Sequence, residues 1–340
     1  MVIKSGLVSV IMSNYNTPEE YLRASIESVL NQTYKNFEFI IIDDCSTDSS
    51  LGIIKSYNDK RIILIENEVN LGITKSLNRG LAVAKGEYIA RMDADDICLP
   101  ERFEKQVCYL KEHPDTIVCG TGVELIGDWQ DRHSNKFICR EIPERDLFKV
   151  YLLFGNYPNI VHPTAMFNHK IIKENNIKYD ERYPVAQDYK MWVTCCNYGE
   201  CVNLKETLLY YRVHGEAVSS SKTDKQYACA VMNMKEQLAT IGVVLKDGSE
   251  EIHYNFLSKR QPYDLCYKRW IKKIISQNAK YGTYNYQKLE AVLWKKWAET
   301  SYFALAKEHN PLNIIKILFN IPVKYWVELL NTKKSRAEKD

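Results

Sequence analysis

The 340-residue chain has no run of 18 apolar residues, so no helix in it reads as a bilayer span. Its first residues, Met1-Val-Ile-Lys-Ser-Gly6, carry no signal-peptide pattern. The apolar run Leu7–Met12 is short and leads straight into a polar turn. The ten cysteines lack the spacing of a disulfide domain. Cys195-Cys196 with Cys201 is the one cluster, and neither a CxxC pair nor a histidine pattern accompanies it, which argues against zinc. Scattered cysteines in a sizeable core read as reduced and buried, so a cytoplasmic protein is expected. There are no internal repeats, and no low-complexity tract beyond the charged last eight residues. Two phosphate-binding signatures are also absent. The first strand–helix turn reads Ser13-Asn-Tyr-Asn-Thr17, without the GxGxxG of dinucleotide dehydrogenases, and no GxxxxGK[ST] loop occurs. The Gly-rich loop with Arg or Lys expected near the start of a sugar-nucleotide nucleotidyltransferase is missing too.

What is present is an ordinary globular composition, 45% hydrophobic and 26% charged, long enough for two domains. The net charge of +3 hides a division. Residues 253–340 hold 17 basic and 7 acidic side chains, leaving 29 basic against 36 acidic in 1–252. Tyrosine outnumbers phenylalanine, 23 to 10, which suits polar-edged clefts and interfaces.

Along residues 1–100 strand and helix alternate. Leu7–Met12 is a β-rich run. Thr17-Pro-Glu-Glu20 reads as a capping box with Pro at the first helical position. Phe37–Ile42 is a second strand ending in Asp43-Asp44, Arg61–Ile65 a third and Glu87–Arg91 a fourth, with helices between them. Continuous apolar strands in a βαβ series predict a parallel sheet covered on both faces, with ligands beyond the strands' carboxyl ends. After residue 100 the rhythm weakens. Helices are expected over 100–112, 144–154 and 187–198, and extended chain over 116–126, 159–167 and 202–213. From about 221 onward the chain reads as helical and basic.

The fourth strand ends in three carboxylates within four residues, Asp93, Asp95 and Asp96. Hard oxygen ligands at this spacing suit Mg²⁺ or Mn²⁺, which favour phosphate oxygens as further ligands. A metal-bridged diphosphate is one reading. In the other, one aspartate caps the helix that Pro100 begins and the rest are solvated.

The pattern as a whole resembles the family 2 glycosyltransferases of GT-A fold. The matching segments include Val8-Ser-Val-Ile-Met-Ser-Asn-Tyr-Asn16, Ile41-Ile-Asp-Asp-Cys-Ser-Thr-Asp48, Asn70-Leu-Gly-Ile-Thr-Lys-Ser-Leu-Asn-Arg-Gly80 and Gly86-Glu-Tyr-Ile-Ala-Arg-Met-Asp-Ala-Asp-Asp96. Later come His162-Pro-Thr-Ala-Met-Phe167, Gln187-Asp-Tyr-Lys-Met-Trp192 and Tyr210-Tyr-Arg-Val-His214. The likeness covers about 1–220, within the branch that builds bacterial capsular, exopolysaccharide or lipopolysaccharide chains. It implies a GT-A catalytic domain over 1–220, a Rossmann-like, mostly parallel sheet flanked by helices, and a helical extension over 221–340.

The same resemblance implies roles. Asp44 would take the nucleotide base, with Ser13 at the neighbouring strand end. Asp93-Ala-Asp95 matches the DxD motif, Asp95 being the metal ligand and Asp93 the partner of ribose or of a metal-bound water. Asp96 reads as a support to these or as a cap. Lys75 and Arg212 would serve the diphosphate. His214 would ligate the metal or bind diphosphate, and His162 would line the acceptor pocket. Asp43 and Asp48 read equally as turn formers or as ligand contacts. Asp188 matches the catalytic base. Gln187 stands where Glu is usual, and losing that like charge would lower the base's pKa.

An inverting, metal-dependent transferase is therefore expected. It would move a sugar from a nucleoside diphosphate, UDP first, to a hydroxyl of a glycan or lipid-linked glycan, using Mn²⁺ or Mg²⁺. The alternatives are a nucleotidyltransferase and a non-catalytic glycan-binding or sugar-nucleotide-binding module. In the tail, Trp270, Ile271, Ile274 and Ile275 lie beside Lys268, Arg269, Lys272 and Lys273, and Asn313–Leu330 is similarly mixed. Such helices either lie on the anionic inner face of a membrane or form a packed cap with a solvated basic face. No nucleic-acid motif supports the charge.

Overall fold

The computed structural model describes residues 3–127, 137–155, 160–213, 223–245, 252–254 and 265–305. They belong to two compact units, 1–145 with 158–229, and 146–157 with 230–340.

The first unit opens with β1 (Lys4–Asn14), α1 (Glu19–Leu30), β2 (Phe37–Asp43), α2 (Ser50–Ser56), β3 (Ile62–Glu66), α3 (Ile73–Val83) and β4 (Gly86–Asp93). β2 is buried along its whole length, as an apolar run in the middle of a covered sheet should be. It then adds β5 (Ile97–Cys98), α4 (Arg102–Glu112), β6 (Thr116–Gly127), β7 (Phe137–Ile138), β8 (Met166–Asn168), α6 (His169–Glu174), α7 (Gln187–Cys195) and β9 (Glu200–Val213). The strand order is β3-β2-β1-β4-β8-β6-β9-β5, with β7 on β6. β1 pairs in parallel with β2 on one side and β4 on the other, and β2 with β3. β8 is antiparallel to both β4 and β6, while the long β6–β9 pairing is parallel. The chain order reverses at β1, so a crevice opens between the carboxyl ends of β1 and β4, where ligands of such sheets bind.

The core of this unit is set by alternation. Val8, Val10 and Met12 of β1 share one face with Tyr88, Ala90 and Met92 of β4, packed by α1 (Leu22, Ile26, Val29) and α4 (Phe103, Val107, Leu110). β4 starts against β1 so tightly that a Cβ on Gly86 would lie 2.5 Å from Ser9 N and 2.7 Å from Leu7 O.

Two local expectations fail for identifiable reasons. The capping box at Thr17 does not form: Pro18 stays extended, with ψ 137°, so α1 begins at Glu19 with no side-chain cap. The segment 159–167 is not one extended stretch. His162–Thr164 makes a 3₁₀ turn led by Pro163, and only Met166–Asn168 pairs as β8. The cysteines of the described residues are all free; Cys108 and Cys139 are exposed, against the expectation of burial throughout.

The second unit takes α5 (Arg145–Leu153) from Asp146, α8 (Thr223–Ala239) from Ala230, α9 (Leu265–Tyr281) and α10 (Tyr286–Leu305). Trp270, Ile271 and Ile274 of α9 are buried in its core with Leu153, Leu238, Leu289, Leu293 and Trp297. The apolar side of α9 is thus used inside its own unit. Asn313–Leu330 lies outside the described residues. None of the described helices is long and apolar enough to cross a membrane.

His253 locks this core. Its Nε2 donates to Leu153 O at 2.8 Å and its Nδ1 accepts the Trp270 indole N–H at 3.2 Å, which defines one neutral tautomer. Burial pushes its pKa down to about 4. The unfolded chain takes up this proton near pH 6.5, whereas the folded unit resists until about 4. The stability associated with neutral His253 is therefore present above pH 6.5 and is lost as pH falls toward 4, by up to about 3 kcal/mol. Denaturant melts of the helical unit at stepped pH should show this slope, and His253→Gln should flatten it. An unchanged slope in the variant would place the titration elsewhere.

Candidate active site

The carboxyl edge of β1, β2 and β4 collects the polar residues. Asn14 lies opposite Asp43 in the β1–β2 ladder, and Ser13 opposite Asp93 in the β1–β4 ladder. Asp43 builds the turn after β2. Its oxygens accept the Asn14 amide at 2.9 Å, the Ser46 hydroxyl at 2.7 Å and the Ser46 N–H at 3.0 Å. Asp48 accepts the Ser50 N–H at 2.9 Å and so starts α2. For both residues the local role is the one the structure displays.

Asp44 is 2% exposed. Its Oδ1 accepts Asn67 Nδ2 at 2.6 Å and Leu71 N–H at 2.8 Å, and its Oδ2 accepts Gly72 N–H at 2.8 Å. A carboxylate offers about four lone-pair sites, so one acceptor position remains, on Oδ2. Tyr15, the residue after β1, is 48% exposed and presents an aromatic ring at the strand end, a residue the motifs did not single out. Lys75 is exposed on α3 and has no ion-pair partner among the described residues.

The β4–β5 turn brings the other group together. Arg91 is buried and binds Asp93 and the Met92 carbonyl. Ser25 donates to the Asp93 carbonyl at 2.8 Å. Arg212, delivered by β9, donates its backbone N–H to Asp96 Oδ1 at 2.8 Å and its Nε to the Asp95 carbonyl at 2.8 Å, with its guanidinium 4.0 Å from the Tyr21 ring centre. Asp96 therefore anchors β9 and does not cap α4, whose N-cap position is Glu101. His214 lies outside the described residues.

Burial pushes Asp93 above the usual carboxylate range; Arg91 opposes the shift and Asp95 adds to it. Burial raises Asp96 further, helped by Asp93 and Asp95, and its Oδ2 is buried without a partner. Three carboxylates within four residues, one of them with a buried oxygen lacking a partner, fit a divalent cation. Among the described residues no three His, Cys, Asp or Glu side chains converge into a cage. Mg²⁺ needs none, since one or two carboxylates, waters and phosphate oxygens commonly complete its shell.

Asp188 stands in the first turn of α7, after Ala186 in a left-handed conformation with φ 54°. Such a conformation is costly for a residue with a Cβ and is held by its surroundings. The loop before it is fastened to α3. Thr74 Oγ1 donates to Tyr183 O at 2.7 Å, Asn78 Nδ2 donates to Tyr179 O at 2.9 Å, and Asn78 Oδ1 accepts Tyr179 N–H at 3.0 Å. Asp188 keeps an exposed edge but lies deep. Burial raises its pKa, its own N–H and that of Tyr189 pull it down, Asp93 pushes it up and Arg91 lowers it. The expected lowering through Gln187 is thus outweighed: burial dominates, and Asp93 supplies the like charge.

His162 does not line open surface. It is 9% exposed, shares a 2.8 Å hydrogen bond with the Tyr179 hydroxyl and packs edge-on against Trp192. Burial, then Arg91, holds its pKa well below the usual value, so it is a neutral partner of Tyr179. Arg91 acts on Asp93, Asp96, Asp188, His162 and Tyr179 together. Its position just before the carboxylates was the available signal, but nothing in the chain order announces Asp188 as a neighbour.

Residues 9–175 match the family model for Glycosyl transferase family 2. An uncharacterized glycosyltransferase of Methanocaldococcus jannaschii is 40% identical over 238 residues, 67% of this chain and 78% of that protein. WfaP of Escherichia coli, a UDP-Glc:alpha-D-GlcNAc-diphosphoundecaprenol beta-1,3-glucosyltransferase, is 31% identical over 64% of this chain and 81% of its own. The crystal structure of S. aureus TarS in complex with UDP-GlcNAc superposes with a TM-score of 0.57 at 20% identity, covering 86% of this chain and 88% of that one; the shared feature is the fold.

Asp44→Asn tests the carboxylate's internal work. An amide placed there sets an N–H against the Gly72 N–H, and a buried donor left unmet costs about 1–3 kcal/mol. The variant should lose about that much stability in a urea melt of the catalytic unit. Wild-type stability would mean that Asp44 does not hold the 67–72 loop.

Proposed function

The chain belongs to glycosyl transferase family 2, and from that membership we propose that it transfers a sugar from UDP, with inversion, to a hydroxyl of a lipid-linked glycan in cell-surface polysaccharide synthesis. The observation that carries this reading is the coupling of Asp188 to the strand-end carboxylates. Ser13, Asp93, Asp95 and Arg212 gather at the β1–β4 switch point, and Asp188 of α7 is coupled electrostatically to Asp93 and Arg91. UDP and the lipid-linked acceptor are favoured by the relative WfaP, whose name specifies both.

In this reading the free acceptor position on Asp44 Oδ2 takes the imide N–H of uracil. The exposed Tyr15 ring stacks on the base, and Ser13 lies beside the nucleoside. Asp95 holds a Mg²⁺ or Mn²⁺ ion, with His214 as a further ligand and Asp93 supporting the ribose or a metal-bound water. The ion, when bound, offsets charge on the departing diphosphate. Arg212 and Lys75 supply fixed positive charge to the same phosphates. Asp188 removes the acceptor proton as the acceptor oxygen bonds to the anomeric carbon and the bond to diphosphate breaks. Its burial strengthens it as a base, and the N–H groups of the first helical turn keep it ionised. Asn78 and Thr74 hold the loop that aims it.

Turnover, nucleotide affinity and pH profile together test the assignment. Asp95→Ala, or EDTA, should abolish transfer while UDP release stays the only nucleotide product formed by wild type. Positioned proton transfer is worth about 10²–10⁴-fold, so Asp188→Asn should lose at least about a hundredfold in kcat with UDP affinity nearly unchanged. Because the base must be ionised, wild-type turnover should fall as pH drops through a pKa above that of an ordinary aspartate. Near-normal turnover in Asp188→Asn removes it from the mechanism. Full activity in excess EDTA removes the metal, and pyrophosphate release from a triphosphate would identify a nucleotidyltransferase.

A further inference from the structure

The helical unit carries a charged stripe that the proposed chemistry does not use. α9 (265–281) has five basic residues and no acidic one. Arg269, Lys272, Lys273 and Lys280 are all exposed, and Ser276 between them is exposed too. At 100° per residue these positions fall within about a third of the helix circumference and run about 17 Å along it. The opposite side, Tyr267, Trp270, Ile271, Ile274 and Asn278, is buried. The stripe is therefore fixed in direction by the core behind it. Beside the stripe, burial and then the charge of Lys272 depress the Lys268 pKa.

An exposed apolar corner adjoins the end of the stripe. The turn after α8 and the turn between α9 and α10 are tied by Thr283 Oγ1 donating to Thr240 O at 3.0 Å. They expose Val244 (75%), Tyr281 (59%) and Tyr286 (46%). The Tyr281 ring lies so close to Gly242 that a Cβ there would be 2.5 Å from it, so the ring is seated and does not swing freely.

We propose that this face of the helical unit, the Arg269–Lys280 stripe ending in the Tyr281–Tyr286 corner, attaches the protein to the surface of an anionic bilayer without inserting a helix. Lysine-rich, exposed charge suits diffuse attraction to lipid headgroups better than bidentate recognition of single phosphates, for which arginine is the better residue. Tyrosines beside an exposed aliphatic side chain suit the headgroup boundary, where an apolar body and a wet hydroxyl are both met. The attachment differs from that of an amphipathic helix, whose apolar side enters the lipid, because here that side is in the core.

The test is co-sedimentation of the full chain with phosphatidylcholine vesicles, with and without phosphatidylglycerol. Binding is read without turnover, so the outcome is independent of the donor and base proposed above. Wild type should bind only the anionic vesicles, and less as salt rises and screening shortens. R269Q/K272Q/K273Q/K280Q changes exposed side chains only, and circular dichroism checks its helices. It should bind more weakly by about fivefold for each charge removed, more than about a hundredfold in all. Y281S/Y286S should weaken the binding that survives at high salt; unchanged binding there takes the corner out of the surface. Equal binding to neutral vesicles, or wild-type affinity in the charge variant, overturns the proposal. So does single-stranded RNA that displaces the protein from anionic vesicles at equal charge concentration, or an oligomer that the charge variant breaks apart while vesicle binding persists.

Discussion

Negative charge crowded onto one sheet edge is the constraint that organises the catalytic unit. Asp43, Asp44, Asp93, Asp95 and Asp96 stand at the ends of two strands separated only by β1, and Asp188 approaches from α7. Each charge is met differently. Asp43 and Asp44 are satisfied by N–H and hydroxyl donors from their own loops, which fixes those loops. Asp93 is met by buried Arg91, and Asp96 by one backbone N–H, with an oxygen left over. The carboxylates at the β2 end are thus met by donors of their own loops, whereas at the β4 end one Asp96 oxygen stays buried without a partner.

Much of this was legible in the chain, because it depends on short-range pattern. The βαβ series, the parallel sheet and the strand-end aspartates follow from apolar runs ending in polar turns, and the quoted motifs identified the family. What was not legible depends on distance in space. His162 looked like a pocket residue, but Tyr179 and Trp192 enclose it. Asp188 was expected to have a lowered pKa from its sequence neighbour, yet burial and Asp93, far off in the chain, reverse the sign. Thr17 had the letters of a cap, and the extended backbone at Pro18 cancelled it.

The division of the chain shows the same limit. A cut at 220 separates the helical tail in sequence, but α5, some seventy residues earlier, packs in the tail's unit through Val150, Leu153 and Phe154. An amphipathic helix announces that one side is buried; it does not announce against what. For α9 the sequence left membrane and protein as equal partners for Trp270, Ile271 and Ile274. The helices of its own unit cover them.

One feature of α3 fixes more than its own position. Gly72, at its start, is tied to Asp44, while Thr74 and Asn78 hold the loop that leads to Asp188. Thr74 lies two residues from Gly72 and Asn78 six, about 9 Å, so both loops are held by one short stretch of chain. The helix works like a gauge block whose length does not vary with temperature-driven loop motion. The Asp44 loop and the loop before Asp188 are then set as one piece. A residue inserted in α3 between Gly72 and Asn78 would therefore displace both loops together.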